Sequence, residues 1–225
     1  MSMLRSILVV AGKDLRSEIR SRQNVVTVLF FAVVVLVIFH FSFDLADVDF
    51  ATVGPGLIWV AIAFAGMLGL QSTFAREGER EGLAGLLLSS ADPAAIYLGK
   101  ALAALISLLV AEALFLPAAA ILFNVDLRPV AFPLAVVVLV HTAGFIAVGT
   151  LFAAMSLKIR RGYLLLPVLQ LTVTVPLLMS AVKATAGVLS EGTLEGAGVW
   201  LRLGVAYDMI FFTIAAALFE PLIED

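Results

Sequence analysis

The chain has 225 residues, of which 62% are hydrophobic and 14% are charged, and its net charge is −3. A soluble domain of this length needs a far more polar surface, so this composition indicates a membrane protein whose apolar excess faces lipid. The absence of cysteine excludes disulfides, cysteine-held metals and thiol catalysis, and the lack of a long basic patch gives no support for nucleic acid as a partner.

The N-terminal residues 1–22 form the first predicted element. Apolar residues recur there at helical spacing from Leu4 to Ile19, and a charged segment follows where a signal peptide would have its cleavage site. We therefore predict an amphipathic helix at the membrane interface, with an ordinary juxtamembrane tail as the alternative. Its cations, which can meet anionic headgroups, are Lys13, Arg16, Arg20 and Arg22.

Six later segments are apolar enough to cross the hydrocarbon core, which takes about 20 residues of helix. No long polar interval separates them into two parts, so the chain reads as one transmembrane domain over residues 1–225. The predicted spans are residues 24–43, 56–74, 101–123, 130–157, 162–182 and 203–219.

Basic residues decide the predicted orientation, because they accumulate in cytoplasmic loops. With the N-terminus inside, eleven Lys and Arg residues fall on the cytoplasmic side and only three, Arg128, Lys183 and Arg202, on the other. Both termini are therefore predicted to be cytoplasmic. The outer connection at residues 187–198 is rich in glycine and reads as a flexible link rather than a binding module.

The longest polar interval between spans contains the run "REGEREGLAGLLLSS" at residues 76–90. A helix here would place Leu83, Leu86 and Leu87 on one face, with the charges mainly elsewhere. Such a surface suits a groove on a soluble partner, and a solvated loop is the alternative. Asp92 followed by Pro93 predicts the start of the next helix.

Three polar residues lie inside the predicted spans and are candidate functional groups, because polar groups in hydrocarbon are costly unless they are paired. Glu112 would line a substrate path, move protons, or bond to a neighbouring helix as a neutral carboxyl. His141 would ligate haem iron or be a hydrogen-bonded packing residue. Asp208 would have a transport role or join a polar cluster with Arg202 and Tyr207.

No nucleotide-binding motif is present: "YLGKALAAL" at residues 97–105 lacks the first glycine and the Ser or Thr of a phosphate-binding loop. The chain therefore does not hydrolyse ATP itself, and we expect no enzyme activity and no resident cofactor. With two histidines and no cysteine, a metal site held by the protein is also not expected.

Three blocks of the sequence resemble the CcmB family, the haem exporter protein B subunits of ABC-type cytochrome c maturation systems. Residues 54–104 carry the Gly-Leu-Ile-Trp opening at residues 56–59, the acidic turn Glu81-Gly82-Leu83, the leucines at 86–88 and the Leu-Gly-Lys at 98–100. Residues 157–182 are similar to the family's basic loop and its proline-bearing fifth span. The closing "YDMIFFTIAAALFEPLIED" at residues 207–225 is similar to its C-terminus.

The resemblance implies an all-α, six-span permease of ABC-2-like architecture in the bacterial inner membrane. It implies a separate CcmA-like ATPase, CcmC-like and CcmD-like membrane subunits and a CcmE-like periplasmic haem chaperone. A homodimer of this chain within the complex is a separate expectation. By analogy with ABC permeases, residues 76–92 would be the segment that couples to the ATPase. The predicted ATPase contacts are Glu77, Arg80, Glu81, Gly82, Leu83, Leu86 and Leu87.

Two roles are compatible with this resemblance. The subunit would conduct haem, or it would transmit ATP-driven motion that releases the haem-loaded chaperone. The scarcity of histidine favours the second role, since haem iron usually needs an axial ligand. An ABC-2-type permease that exports a drug, a lipid or a polysaccharide is the alternative function.

Overall fold

A computed structural model describes residues 2–21, 23–42, 50–79, 92–158 and 165–224. The described residues form α-helices and one short 3₁₀ turn, with no strand among them. The helices are α1 (Met3–Ser21), α2 (Gln23–Ser42), α3 (Phe50–Glu79), α4 (Pro93–Leu122), α5 (Ala131–Lys158), α6 (Leu165–Glu191) and α7 (Gly198–Glu224), with the 3₁₀ turn at Arg128–Val130 before α5.

Five of these helices, α3 to α7, are long and apolar enough to cross a membrane. The all-helical, multi-pass prediction is therefore confirmed. The described apolar part of α2, Val26–Ser42, has fewer than 18 residues, which is short for a span of about 20. A sixth span through α2, and the interfacial placement of α1, stay predictions.

Helix α5 lies at the centre of the bundle, in contact with α3, α4, α6 and α7. Of its apolar span, 61% is buried inside the chain, whereas only 11% of the α7 span is buried. Small residues at every fourth position of α3 also face inward: Ala61 and Ala65 are buried, and Gly69 lies against Val28 of α2. Small residues at these positions let the helices approach closely.

The predicted start of α4 is confirmed. The Asp92 carboxylate accepts a hydrogen bond from the Ala94 backbone N–H at 2.9 Å, and Pro93 occupies the first helical turn. The helix thus begins eight residues before the predicted span at Ala101. Lys100 lies within this first part of α4 and is buried.

The connection between α6 and α7 is shorter than predicted. Helix α6 continues to Glu191 and α7 begins at Gly198, so the connection comprises residues 192–197, and Lys183 and Arg202 lie in helices. Gly192 ends α6 with a positive φ of 73°, and its N–H donates to the Val188 carbonyl at 2.9 Å. Flexibility of this connection stays a prediction.

Helix α1 is fastened to the beginning of α4 by close packing and by a buried ion pair. A side chain at Gly99 would collide with Val10 and with the Ile7 carbonyl, so the two backbones nearly touch. Lys100 Nζ lies 3.3 Å from Asp14 Oδ2, with the two side chains 2% and 10% exposed. Lys13 approaches the same carboxylate at 3.2 Å, but its side chain is 48% exposed.

We predict that Lys100→Met destabilises the protein by up to about 3–5 kcal/mol, because it leaves the Asp14 carboxylate buried without its buried partner. Lys13→Met is the matched control, and we expect a loss of about 0–1 kcal/mol from this exposed pair. Adding Asp14→Leu to Lys100→Met should recover most of the loss. Thermal unfolding in detergent measures all three variants, and equal effects of the two lysine substitutions would contradict the prediction.

Candidate functional site in the helix bundle

The predicted ATPase contacts Arg80, Glu81, Gly82, Leu83, Leu86 and Leu87 lie outside the described residues. Glu77 lies in the last turns of α3, where only the backbone is described. The first described residue after this segment, Asp92, directly precedes the end of α4 that packs against α1.

Glu112 lies in the interior between α4 and α5. It is 2% exposed, and its Oε1 accepts a hydrogen bond from Thr142 Oγ1 at 2.9 Å. Its other oxygen, Oε2, has no hydrogen-bond partner among the described residues. This geometry ties α4 to α5 through one polar contact. A role for Glu112 in proton or substrate movement stays a prediction.

His141 faces the opposite side of α5, and both of its ring nitrogens are engaged. Nδ1 lies 2.9 Å from the Val137 carbonyl, which can only accept, so Nδ1 carries the proton. Nε2 lies 3.1 Å from the Ser180 hydroxyl of α6. That hydroxyl is also 2.7 Å from the Trp200 carbonyl of α7, so its single proton serves either His141 or Trp200. Iron ligation by Nε2 would require the Ser180 contact to break.

Trp59 of α3 and Thr185 of α6 lie beside the His141–Ser180 contact and connect it to α3. The Trp59 N–H donates to Thr185 Oγ1 of α6 at 2.8 Å, and the Trp59 ring lies edge-on to His141 with 5.7 Å between centroids. All of these side chains are buried. We call the set the outer clasp; it joins α3, α5, α6 and α7 and consists of Trp59, His141, Ser180, Thr185 and the Trp200 carbonyl.

Asp208 lies on α7 against Gly144 of α5, where a Cβ atom would collide with its Oδ1. This oxygen is buried and has no hydrogen-bond partner in the described part of the chain. Tyr207 donates its hydroxyl to the Val173 carbonyl at 3.2 Å, and the described residues show no ion pair between Asp208 and Arg202. The cluster of these three residues stays a prediction. A transport role for Asp208 remains untested.

A narrow cavity lies beside the Lys100–Asp14 pair, between α1, α3 and α4. Its volume is about 50 Å³, and its wall includes Glu18, Gly66 and Ser107. Pockets that hold drug-sized ligands have about 300–1,000 Å³. This cavity has room for water, and the described residues here do not enclose a space of haem size.

A wider cleft opens at the far end of α4 and α5, with a volume of about 730 Å³. Its walls are mostly apolar, and Asp126 and Arg128 lie at its edge, 2.9 Å apart. The Arg128 side chain donates a hydrogen bond that lowers the pKa of Asp126 below its ordinary value. Because both groups are exposed, this pair adds little to stability.

Sequence reasoning identified Glu112, His141 and Asp208 but missed their surroundings. Thr142, Ser180 and Thr185 are polar residues within apolar spans, and that was the available signal. Their hydrogen-bond partners could not be predicted from the sequence, because the order of residues along a span does not show which helices face each other.

Comparison with known proteins gives a consistent result. The sequence profile of the family described as "CcmB protein" matches residues 5–220. "Heme exporter protein B" from Pseudomonas aeruginosa is 27% identical over 220 residues, which cover 97% of each chain. The protein of the same name from Rhodobacter capsulatus is 31% identical, and the match covers 92% of this chain and 93% of that protein. The one from Bradyrhizobium diazoefficiens is 32% identical, and the match covers 79% of each chain.

For the outer clasp, we predict that Ser180→Ala destabilises the protein by about 1–3 kcal/mol, because it removes the hydroxyl that both His141 and the Trp200 carbonyl use. Ser190→Ala on the same helix is the control: this exposed hydroxyl bonds only the Gly187 carbonyl of its own helix, so the change should stay within about 0.5 kcal/mol. Thermal unfolding midpoints measure both variants. Similar shifts for the two serines would refute a special role for the clasp.

Proposed function

Because this chain belongs to the CcmB protein family, we propose that it is the permease subunit of an ABC-type system for haem export and cytochrome c maturation. In this proposal a separate ATPase subunit hydrolyses ATP, and the chain transmits the resulting motion across the membrane. The observation that carries the proposal is the family match over residues 5–220, which spans the multi-pass helical bundle from end to end.

We propose an inner-membrane orientation with both termini in the cytoplasm and α2 as the first of six spans. The distribution of Lys and Arg supports this orientation. The segment of residues 76–92 would contact the ATPase from the cytoplasmic side. Its attachment next to α1, whose outward side chains include Lys13, Arg16 and Arg20, supports a shared cytoplasmic end.

For haem, we propose that this subunit drives release of the loaded chaperone rather than ligating the iron. One observation supports this choice: both ring nitrogens of His141 are engaged within the outer clasp. The proposed partners are a CcmA-like ATPase, CcmC-like and CcmD-like membrane subunits, a CcmE-like chaperone and a second copy of this chain.

The function is tested by deleting the gene in its native host and measuring haem covalently bound to c-type cytochromes. We expect a loss of more than tenfold that the full chain restores, and mass spectrometry of the purified complex should identify an ABC ATPase together with other maturation subunits. Normal c-type cytochromes combined with lost export of a drug, a lipid or a polysaccharide would instead establish the alternative ABC-2-type exporter.

The coupling segment is tested with the double variant Glu81→Lys plus Leu86→Asp. Reversing a charge and placing a carboxylate on the leucine face should lower recovery of the ATPase in a pull-down by at least tenfold, while membrane insertion is unchanged. Leu194→Asp plus Glu195→Lys, in the turn between α6 and α7 at the opposite end, is a control of matched chemistry that should retain the ATPase. Unchanged ATPase recovery with the Glu81 and Leu86 variant would rule out this coupling role.

A further inference from the structure

The cleft between the end of α4 and the start of α5 is open on the outside of the bundle; we call it the α4–α5 cleft. Its volume of about 730 Å³ lies within the range of about 300–1,000 Å³ that small-molecule sites have. Its walls are mostly apolar and include Leu116, Ile121 and Leu134. Ile121 is 82% exposed, so the described part of the chain leaves this space uncovered.

The length of the α4–α5 cleft matches one leaflet of a bilayer. On α4 its lining runs from Ala113 to Asn124, just beyond the end of the helix. At a rise of about 1.5 Å per residue, this stretch is about 16 Å long. The hydrocarbon core is about 30 Å thick, so one leaflet contributes about 15 Å. The cleft therefore extends from the membrane surface to about the middle of the bilayer, which suits an acyl chain.

Proline and alanine residues leave the space between the two helices open. Pro117 lies within α4 in the wall of the cleft, and it has no N–H to donate to the Ala113 carbonyl one turn earlier. Ala120 of α4 and the pair Ala131 and Ala135 of α5 also line the cleft. Their short side chains do not fill it.

Asp126 and Arg128 form a polar rim at the membrane surface end of the cleft. Asp126 Oδ1 accepts hydrogen bonds from the Arg128 backbone N–H at 3.0 Å and from Arg128 Nε at 2.9 Å. These two bonds orient the guanidinium, whose terminal amino groups make no hydrogen bond within the described ranges. The side chains of Arg128 and Asp126 are 91% and 56% exposed. Asn124, which also lines the cleft, adds an amide to this rim.

We propose that the α4–α5 cleft binds one phospholipid with an ethanolamine headgroup. An acyl chain lies along the apolar walls, the phosphate meets the terminal amino groups of Arg128, and the ammonium group meets the Asp126 carboxylate. Charge complementarity selects this lipid, because the rim carries one positive and one negative group, as the headgroup does.

Other common headgroups fit this rim less well. An anionic headgroup such as phosphatidylglycerol has no cation to meet Asp126. A choline headgroup carries the same two charges, but its trimethylammonium group has no N–H to donate to Asp126 or Asn124, whereas ethanolamine has three. The placement of this lipid in the outer leaflet rests on the proposed orientation of the chain, and the binding itself does not.

The test is native mass spectrometry of the full chain in detergent, titrated with phosphatidylethanolamine or phosphatidylcholine of identical acyl chains. We expect the ethanolamine lipid to bind about fivefold more tightly, because only its ammonium group donates hydrogen bonds to the rim. The two lipids have the same net charge and the same apolar part, so the difference reports the headgroup contact alone.

Substitutions at the rim assign the binding to this cleft. Arg128→Gln should weaken binding of the ethanolamine lipid about fivefold, because the phosphate loses a charged donor. Asp126→Asn should abolish the preference for ethanolamine over choline and strengthen binding of phosphatidylglycerol, because Arg128 then gives the rim a net positive charge. Arg202→Gln, at an exposed position near the same end of the bundle, is the control that should leave binding unchanged.

A substitution in the wall tests the acyl chain contact. Ala135→Phe places a large side chain in the cleft and should weaken binding of the ethanolamine lipid about fivefold. Ala206→Phe, at an exposed position of α7, is the matched control and should have no effect. Thermal unfolding midpoints check that the variants are folded. The exposed Asp126–Arg128 pair adds little to stability, so the rim variants carry the test if Ala135→Phe does not fold.

Equal binding of the ethanolamine and choline lipids by the unsubstituted chain would overturn the proposal. Binding of the ethanolamine lipid that Arg128→Gln leaves unchanged, or that Arg202→Gln weakens as much, would overturn it as well. These measurements involve neither c-type cytochromes nor the ATPase, so a negative result leaves the proposed function standing.

Discussion

The bundle depends on polar contacts that α5 makes inside an apolar environment. Lipid tails and side chains such as Leu are equally apolar, so burial of apolar side chains contributes little free energy to the association of transmembrane helices. Close packing at small residues and hydrogen bonds between helices supply the association instead. His141 and Thr142 are adjacent in the chain, yet they bond in different directions, to Ser180 of α6 and to Glu112 of α4. One turn of α5 therefore bonds to two neighbouring helices, α4 and α6.

The contacts at the two ends of the bundle differ in chemistry. At the end that carries α1, the Lys100–Asp14 ion pair and the close approach at Gly99 hold the N-terminal helix to α4. Toward the other end, the outer clasp uses neutral groups and a backbone carbonyl.

The two carboxyls in the spans, Glu112 and Asp208, have different surroundings in the fold. Glu112 is enclosed and contributes to the contact between α4 and α5, while Asp208 occupies the space beside Gly144 on the helix that is least covered. The difference lies in their partners: both carboxyls face α5, but among the described residues only Glu112 receives a hydrogen bond from it. It also explains why residue type and depth alone do not assign a role to an intramembrane acid, since both residues have the same chemistry at similar depths.

The sequence by itself determined the class of protein, five of the helical spans to within nine residues at each end, the cap at Asp92 and the family, because these depend on composition, local spacing and recognisable blocks of residues. It placed Lys183 and Arg202 outside the spans, since hydropathy marks where the hydrocarbon ends and helices continue beyond it. Only the tertiary structure decided which side chains meet: Lys100 with Asp14, Glu112 with Thr142, and His141 with Ser180. The physical reason is that a helix surrounded by lipid on one side and by an apolar interior on the other carries almost no periodic signal for its buried face.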